Sequence, residues 1–174
     1  LLHGCCHNPT GANLSLEHWK ELTKFCEKKN ILPLVDLAYQ GFGDGINDDV
    51  KGLRYMASNL QELCIGISCS KNFGLYRERV GAALMVVSDK KIHKLVEENL
   101  KSFNRVTFSF PPDYGASLVE IILGGNNSQN KELIHLWEKE LNSMRNGMLE
   151  LRKLLSDSLR RSTNSTRFDF IERH

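Results

Sequence analysis

Lys71 stands in the polar run Ser68-Cys69-Ser70-Lys71-Asn72. A lysine amine can add to a carbonyl carbon or carry a proton once it is partly unprotonated, a state that a nearby cation and a partly dry pocket promote. Upstream, Asp36 and Tyr39 follow one apolar run, and Asn8, in His7-Asn8-Pro9-Thr10-Gly11, follows another. With Ser68, these residues supply an amide, a carboxylate, a phenol, a hydroxyl and an amine. Singly each is ordinary: a loop lysine is commonly a solvated surface residue, and an aspartate ending a strand is commonly a turn or helix cap. Their weight depends on whether the fold brings them to one place.

The elements that must position them alternate. Leu1 to Cys6 reads as a buried strand, and Ser15 as the N-cap of a helix carrying Leu16, Trp19, Leu22, Phe25 and Cys26, closed by Asn30. Ile31 to Val35 is a second strand ending at Asp36, followed by the loop Gly41-Phe42-Gly43-Asp44-Gly45 and a short helical stretch through Leu53 and Met56. Leu63 to Ile67 is a third strand ending at Ser68, Val80 to Val87 a fourth, and Asp89 to Leu100 a helix. Apolar strands separated by helices predict an α/β fold with a mainly parallel sheet covered on both faces, whose ligands bind outside the carboxyl ends of the strands. Asn8, Asp36, Tyr39, Ser68 and Lys71 all fall at that edge. Downstream, Leu133, Trp137, Leu141, Met144, Met148, Leu151, Leu155 and Leu159 recur at intervals of three or four. They predict one amphipathic helix of about 30 residues, about 45 Å long. Phe168-Asp169-Phe170-Ile171 reads as strand-like.

Composition narrows the class. The 174 residues are 41% hydrophobic and 25% charged, with 23 Lys+Arg against 21 Asp+Glu and a formal charge of +2. The near-neutral balance argues against a nucleic-acid partner, and no apolar run reaches the roughly 20 residues of a membrane-spanning helix. The five cysteines are an odd number with no regular framework, which fits a reducing, cytoplasmic setting. Cys5-Cys6-His7 has no second ligand pair at zinc spacing, so no metal site is expected. Sequons at Asn13, Asn126 and Asn164 would matter only in a secreted protein. Opening on Leu1 inside an apolar run and stopping at His174, the sequence reads as a piece of a longer protein.

His7-Asn8-Pro9-Thr10-Gly11, then Asp36-Leu37-Ala38-Tyr39-Gln40-Gly41-Phe42, then Lys71-Asn72-Phe73-Gly74-Leu75-Tyr76 and Glu78-Arg79-Val80-Gly81 stand in an ordered register. In order and spacing they resemble the class I aspartate aminotransferases, fold-type I pyridoxal-phosphate enzymes, over almost the whole chain. That resemblance implies that Lys71 is catalytic and holds pyridoxal 5'-phosphate as an internal aldimine. It further implies that Asp36 pairs with the pyridinium nitrogen, and that Tyr39 and Asn8 hydrogen-bond the ring's phenolic oxygen. Ser68 and Arg79 would bind the phosphate, Asn8 would also reach the substrate α-carboxylate, and His3 matches a histidine behind the ring. Arg105, before Val106-Thr107-Phe108-Ser109-Phe110-Pro111-Pro112, resembles an arginine that reaches a neighbouring subunit's site to bind the side-chain carboxylate of a dicarboxylic substrate. The implied activity moves an amino group between aspartate or glutamate and a 2-oxo acid, in a homodimer.

The same resemblance divides the chain into residues 1–130, part of a large cofactor-binding domain, and 131–174, a connecting helix and the start of a small domain. It places a phosphate-binding glycine loop, a ring-stacking tryptophan and a tyrosine lent by the partner before Leu1, and the α-carboxylate arginine after His174, so the isolated chain is expected to be inactive. Departures are Arg77 where glycine is usual, which would disfavour a positive backbone dihedral, Cys69-Ser70 in place of Tyr-Ala, and Phe110 where asparagine is common. They leave room for a weak or non-catalytic paralogue acting as a binding or dimer partner, and the scaffold also allows a racemase.

Overall fold

The computed structural model describes residues 1–125 and 128–173; the Asn126 sequon lies outside the described residues. The elements in chain order are β1 (Leu2–His3), α1 (Leu16–Lys29), β2 (Leu34–Leu37), α2 (Lys51–Asn59), β3 (Glu62–Ser68), β4 (Gly81–Val87), α3 (Lys90–Phe108), α4 (Tyr114–Leu123), α5 (Ser128–Thr163) and α6 (Phe170–Arg173). One sheet runs in the order β1-β2-β3-β4. The first three strands are parallel, with His3 opposite Asp36 and Asp36 opposite Gly66. The fourth is antiparallel to β3, with Ser68 opposite Gly81. The sheet is thus mainly parallel, as expected, with β4 its antiparallel member. A parallel return needs a crossover, usually a helix, and the segment joining β3 to β4 contains none.

Helix α1 starts where Ser15 predicts. Its hydroxyl accepts the His18 N–H at 3.2 Å, while His18 Nδ1 accepts the Ser15 N–H at 3.3 Å, a capping box with histidine in the return position. Asn30 closes the helix in the left-handed conformation, at φ 52°. Only part of the expected stripe is buried: Trp19 and Cys26 face inward together with Thr23, which is not part of that expectation, whereas Leu16 and Phe25 are 42% and 51% exposed. Helix α2 approaches α1 at Gly52, where any Cβ would collide with the Trp19 ring.

The core gathers Trp19, Val35, Leu37, Leu53, Met56 and Leu63 beneath one face of the sheet. The other face is open along β2, where Leu34 is 46% exposed and Asp36 is also exposed. Leu34-Val35-Asp36-Leu37 alternates rather than running continuously apolar, and the polar member marks the open side. The strand boundaries shift for local reasons. β1 ends at His3 because the chain turns through Gly4 and Cys5 to Cys6, which has a φ of 48°. β2 begins only after Pro33, which has no N–H to give the ladder.

Two helices outrun their expected lengths. Helix α3 begins at the Asp89 cap, whose carboxylate accepts the Lys91 N–H at 2.8 Å, and continues to Phe108 because nothing interrupts it before Pro111-Pro112. Helix α5 has 36 residues, which corresponds to about 54 Å. Leu141 and Ser156 on α5 are buried, while Leu151, Leu154 and Leu155 are exposed. The strand-like 168–171 segment instead turns into α6, held by Arg160, which meets Asp169 at 2.9 Å. No helix among the described residues is long and apolar enough to cross a membrane.

The glycine-rich loop after β2 is built on a buried carboxylate. Asp49 accepts the N–H groups of Gly41 at 2.7 Å, Gly43 at 3.1 Å and Asp44 at 2.6 Å. Asp49→Ala leaves those donors unpaired, and we expect it to lower stability by about 2–4 kcal/mol, read from denaturant unfolding of the longest form of the protein that carries this chain.

Candidate active site

The carboxyl ends of β2 and β3 bring Asp36 and Ser68 to one edge of the sheet. Asp36 lies on the open face beside Gly66, where an added Cβ would meet nothing within 4 Å, so the surface next to the carboxylate is flat and unobstructed. His3 is its register partner on β1. Its Nδ1 accepts the Asn8 backbone N–H at 3.1 Å, which leaves Nε2 as the protonated nitrogen of the neutral ring. That bond holds the Asn8 turn against the start of the sheet, and His7 lies against His3 with ring centroids 4.7 Å apart.

Lys71 is half-buried, and its Nζ lies 4.6 Å from the centroid of the Tyr39 ring. The ring face attracts the ammonium and keeps it over the β2 loop rather than in bulk water. On either side of Lys71, Ser70 and Asn72 are buried. The Ser68 hydroxyl accepts the Ser70 N–H at 3.2 Å, and the Cys69 N–H donates to the Val80 carbonyl at 3.1 Å, closing the loop at its base. Burial pushes the Cys69 thiol up from its ordinary value, so this thiol two residues before Lys71 stays neutral near pH 7.

Arg79 belongs to the same loop, with its guanidinium on the Tyr76 carbonyl at 2.9 Å. The left-handed positions of this loop are Gly74, at φ 67°, and Arg79, at φ 52°. Arg77 is not among the positive-φ residues, which corrects the expectation that a side chain there meets a disallowed backbone. Arg105 is not brought to the cluster. It sits exposed in the last turn of α3, with its guanidinium carbon 4.5 Å from the Phe110 ring centroid and Nη1 3.5 Å from the Ser109 carbonyl.

Sequence reasoning missed the residues that hold the lysine loop. The Asn72 side-chain amide donates to the Gln40 carbonyl at 3.3 Å, tying the loop to the segment after β2. The Asn72 backbone carbonyl accepts from Trp137 Nε1 at 2.8 Å, and Phe73 stacks on the Trp137 ring with centroids 4.5 Å apart. Trp137 was visible only as one member of the apolar stripe. Leu141, one turn on, lies 2.5 Å from where a Cβ on Gly41 would stand, and Gly41 has a φ of 97°.

The chemistry of this donor set fits one kind of ligand. The Lys71 amine lies over the Tyr39 ring, and the Asp36 carboxylate, the Asn8 amide, the Ser68 hydroxyl and the Arg79 guanidinium belong to strand ends and loops of the same sheet, a set of groups able to meet a carbonyl carbon, a ring nitrogen, a ring oxygen and a phosphate. Among the described residues, the Asp36 carboxylate and the Asn8 side-chain amide make no hydrogen bond within the protein, so both are available to a ligand. Fold and donor set together place a lysine loop at the carboxyl edge of a mainly parallel sheet.

Residues 1–173 match the family described as aminotransferase class I and II, and the chain belongs to that family of transferases. Class I and II aminotransferases depend on pyridoxal phosphate, the ligand the donor set fits. The chain is 48% identical to an aromatic-amino-acid aminotransferase of Paracoccus denitrificans over 174 residues, covering 100% of this chain and 43% of that one. It is 43% identical to an aspartate aminotransferase of Salmonella typhi over 171 residues, covering 98% and 42%. An aromatic-amino-acid aminotransferase from Burkholderia pseudomallei, covalently bound to pyridoxal phosphate, superposes with a TM-score of 0.92 at 34% identity, covering 99% of this chain and 42% of that one. The chain thus spans less than half the length of these relatives.

Replacing Asp36 tests the donor set. We expect Asp36→Asn to weaken binding of pyridoxal phosphate by about 10- to 100-fold, measured by equilibrium dialysis, because a charge-assisted hydrogen bond becomes a neutral one.

Proposed function

We propose that the protein is a pyridoxal-phosphate-dependent aminotransferase acting on aspartate or glutamate and 2-oxo acids, with Lys71 as its catalytic residue. The observation that carries this reading is the position of the Lys71 amine, 4.6 Å over the Tyr39 ring, in a loop that starts beside Asp36 at the carboxyl edge of the sheet. When bound, the cofactor supplies an electron sink for the charge left on the substrate Cα after its proton departs.

The residues divide the remaining work. Lys71 Nζ would hold the cofactor through its aldehyde carbon, and its amine would be the group that carries the proton of the substrate Cα. Asp36 holds a proton on the ring nitrogen. Tyr39 and Asn8 donate to the ring oxygen, and Asn8 also orients the substrate α-carboxylate. Ser68 and Arg79 bind the phosphate, where a guanidinium offers paired charge-assisted hydrogen bonds. His3 braces Asn8 through the backbone bond at its Nδ1.

Arg105 carries the proposal to a homodimer. Exposed on α3 and outside the cluster, it would serve the partner's site and bind the distal carboxylate of the substrate there; its exposure supports this reading. A second reading, in which aromatic amino acids are also substrates, is favoured by the aromatic-amino-acid relatives and by Phe110, whose ring can hold the guanidinium when no carboxylate competes. We also propose that residues 1–130 form part of the cofactor-binding domain and that 131–174 form the connection to a smaller one. A reducing, cytoplasmic setting is supported by the five free cysteines.

Assay of aspartate with 2-oxoglutarate, while tracking the chirality of recovered aspartate, tests the reaction. Transfer with retained L configuration is expected. Racemised aspartate without transfer would instead make the protein a racemase, and cofactor binding with neither reaction a non-catalytic paralogue. Arg105→Ala should lower kcat/KM for aspartate by about 100-fold and that for phenylalanine by less than about threefold, since it removes a charge-assisted contact only the dicarboxylate makes.

A further inference from the structure

The lysine loop has a support that comes from far along the chain. Asn72 is buried beside Lys71, and its backbone carbonyl accepts from Trp137 Nε1 at 2.8 Å, a contact across 65 residues. The Asn72 side-chain amide donates in the other direction, to the Gln40 carbonyl next to Tyr39, and its Oδ1 is buried without a hydrogen-bond partner. One residue therefore ties α5 to the two loops that carry Lys71 and Tyr39. An indole N–H donated to this carbonyl restrains the peptide between Asn72 and Phe73, one residue on from Lys71, and so limits how the loop that carries the lysine can move.

We propose that Trp137 is a positioning residue for Lys71: through its Nε1 hydrogen bond to the Asn72 carbonyl, helix α5 sets where the lysine amine stands over the Tyr39 ring. The inference rests on the reading of Lys71 as the cofactor lysine. It makes the long helix part of the site's machinery, because a displacement of α5 would be felt at the amine through one bond. Stacking of Phe73 on the indole keeps the ring plane aligned for that bond.

The test compares Trp137→Phe with Leu141→Ala in the longest form of the protein that carries this chain. The first keeps an aromatic ring against Phe73 and loses the N–H donor. The second loosens the packing of α5 on Gly41 and leaves the bond in place. In protein freed of cofactor, acetic anhydride is used at fixed pH, and the acetylation rate of Lys71 is read by peptide mass relative to exposed Lys90. We expect Trp137→Phe to fold and to raise the Lys71 rate threefold to tenfold, as the amine leaves the Tyr39 ring for solvent, and Leu141→Ala to stay within twofold of wild type. A Trp137→Phe protein that does not fold, one that labels at the wild-type rate, or a Leu141→Ala protein that labels as fast as Trp137→Phe would overturn the inference. Uptake of pyridoxal phosphate by wild type, followed through its visible absorbance, is recorded in parallel. Failure there strikes the cofactor reading, whereas normal uptake with unchanged labelling strikes only the role of Trp137.

Discussion

Everything about this site depends on holding a flexible, charged lysine side chain at one point above a sheet edge. Left to itself a lysine of this kind is solvated and disordered, and ordering it costs up to about 2 kcal/mol of side-chain entropy. The structure meets that cost with the loop on either side. Ser70 and Asn72 are buried, Ser68 caps the Ser70 N–H, and Asn72 bonds both the Gln40 segment and the indole of α5. The β2 segment is in turn fixed by Asp49, whose carboxylate gathers the N–H groups of the glycine loop. Sheet, glycine loop and long helix thus converge on a short run of backbone around Lys71.

Much of this arrangement can be read from residue order. The apolar runs and the polar residues after them identify the carboxyl edge, Ser15 and Asn30 bound α1 as their types require, and the spacing of Leu133 through Leu159 falls within α5. What stays hidden is long-range. Trp137 looks like any core member of an amphipathic stripe, because periodicity reports which face is apolar and says nothing of where one N–H points. Asp49 follows Asn47 and Asp48 in an unremarkable acidic stretch, and only the tertiary turn of the glycine loop over it reveals its function. The direction of β4 and the helical turn at Phe170–Arg173 are not legible in residue order, because short apolar runs carry no direction and do not by themselves tell strand from helix.

The same physics separates the two arginines. Arg79 is part of the lysine loop, in a left-handed conformation with its guanidinium on a turn carbonyl, so its position follows from the loop that carries Ser68. Arg105 rides on α3 and rests on Phe110, free of the cluster. In the function proposed above, cofactor binding would rest on the sheet-edge loops and substrate choice on this exposed side chain. In a family whose relatives are named both for aspartate and for aromatic amino acids, such a division lets one scaffold change its substrate without disturbing the lysine.

The central claim is that Lys71 is the residue that bonds the cofactor. Incubating the longest form of the protein that carries this chain with pyridoxal phosphate, reducing with borohydride and mapping the product by peptide mass tests it directly. The account predicts one stable pyridoxyl group, on the peptide containing Lys71. A folded protein that carries the group on another lysine, or that carries none, would contradict it.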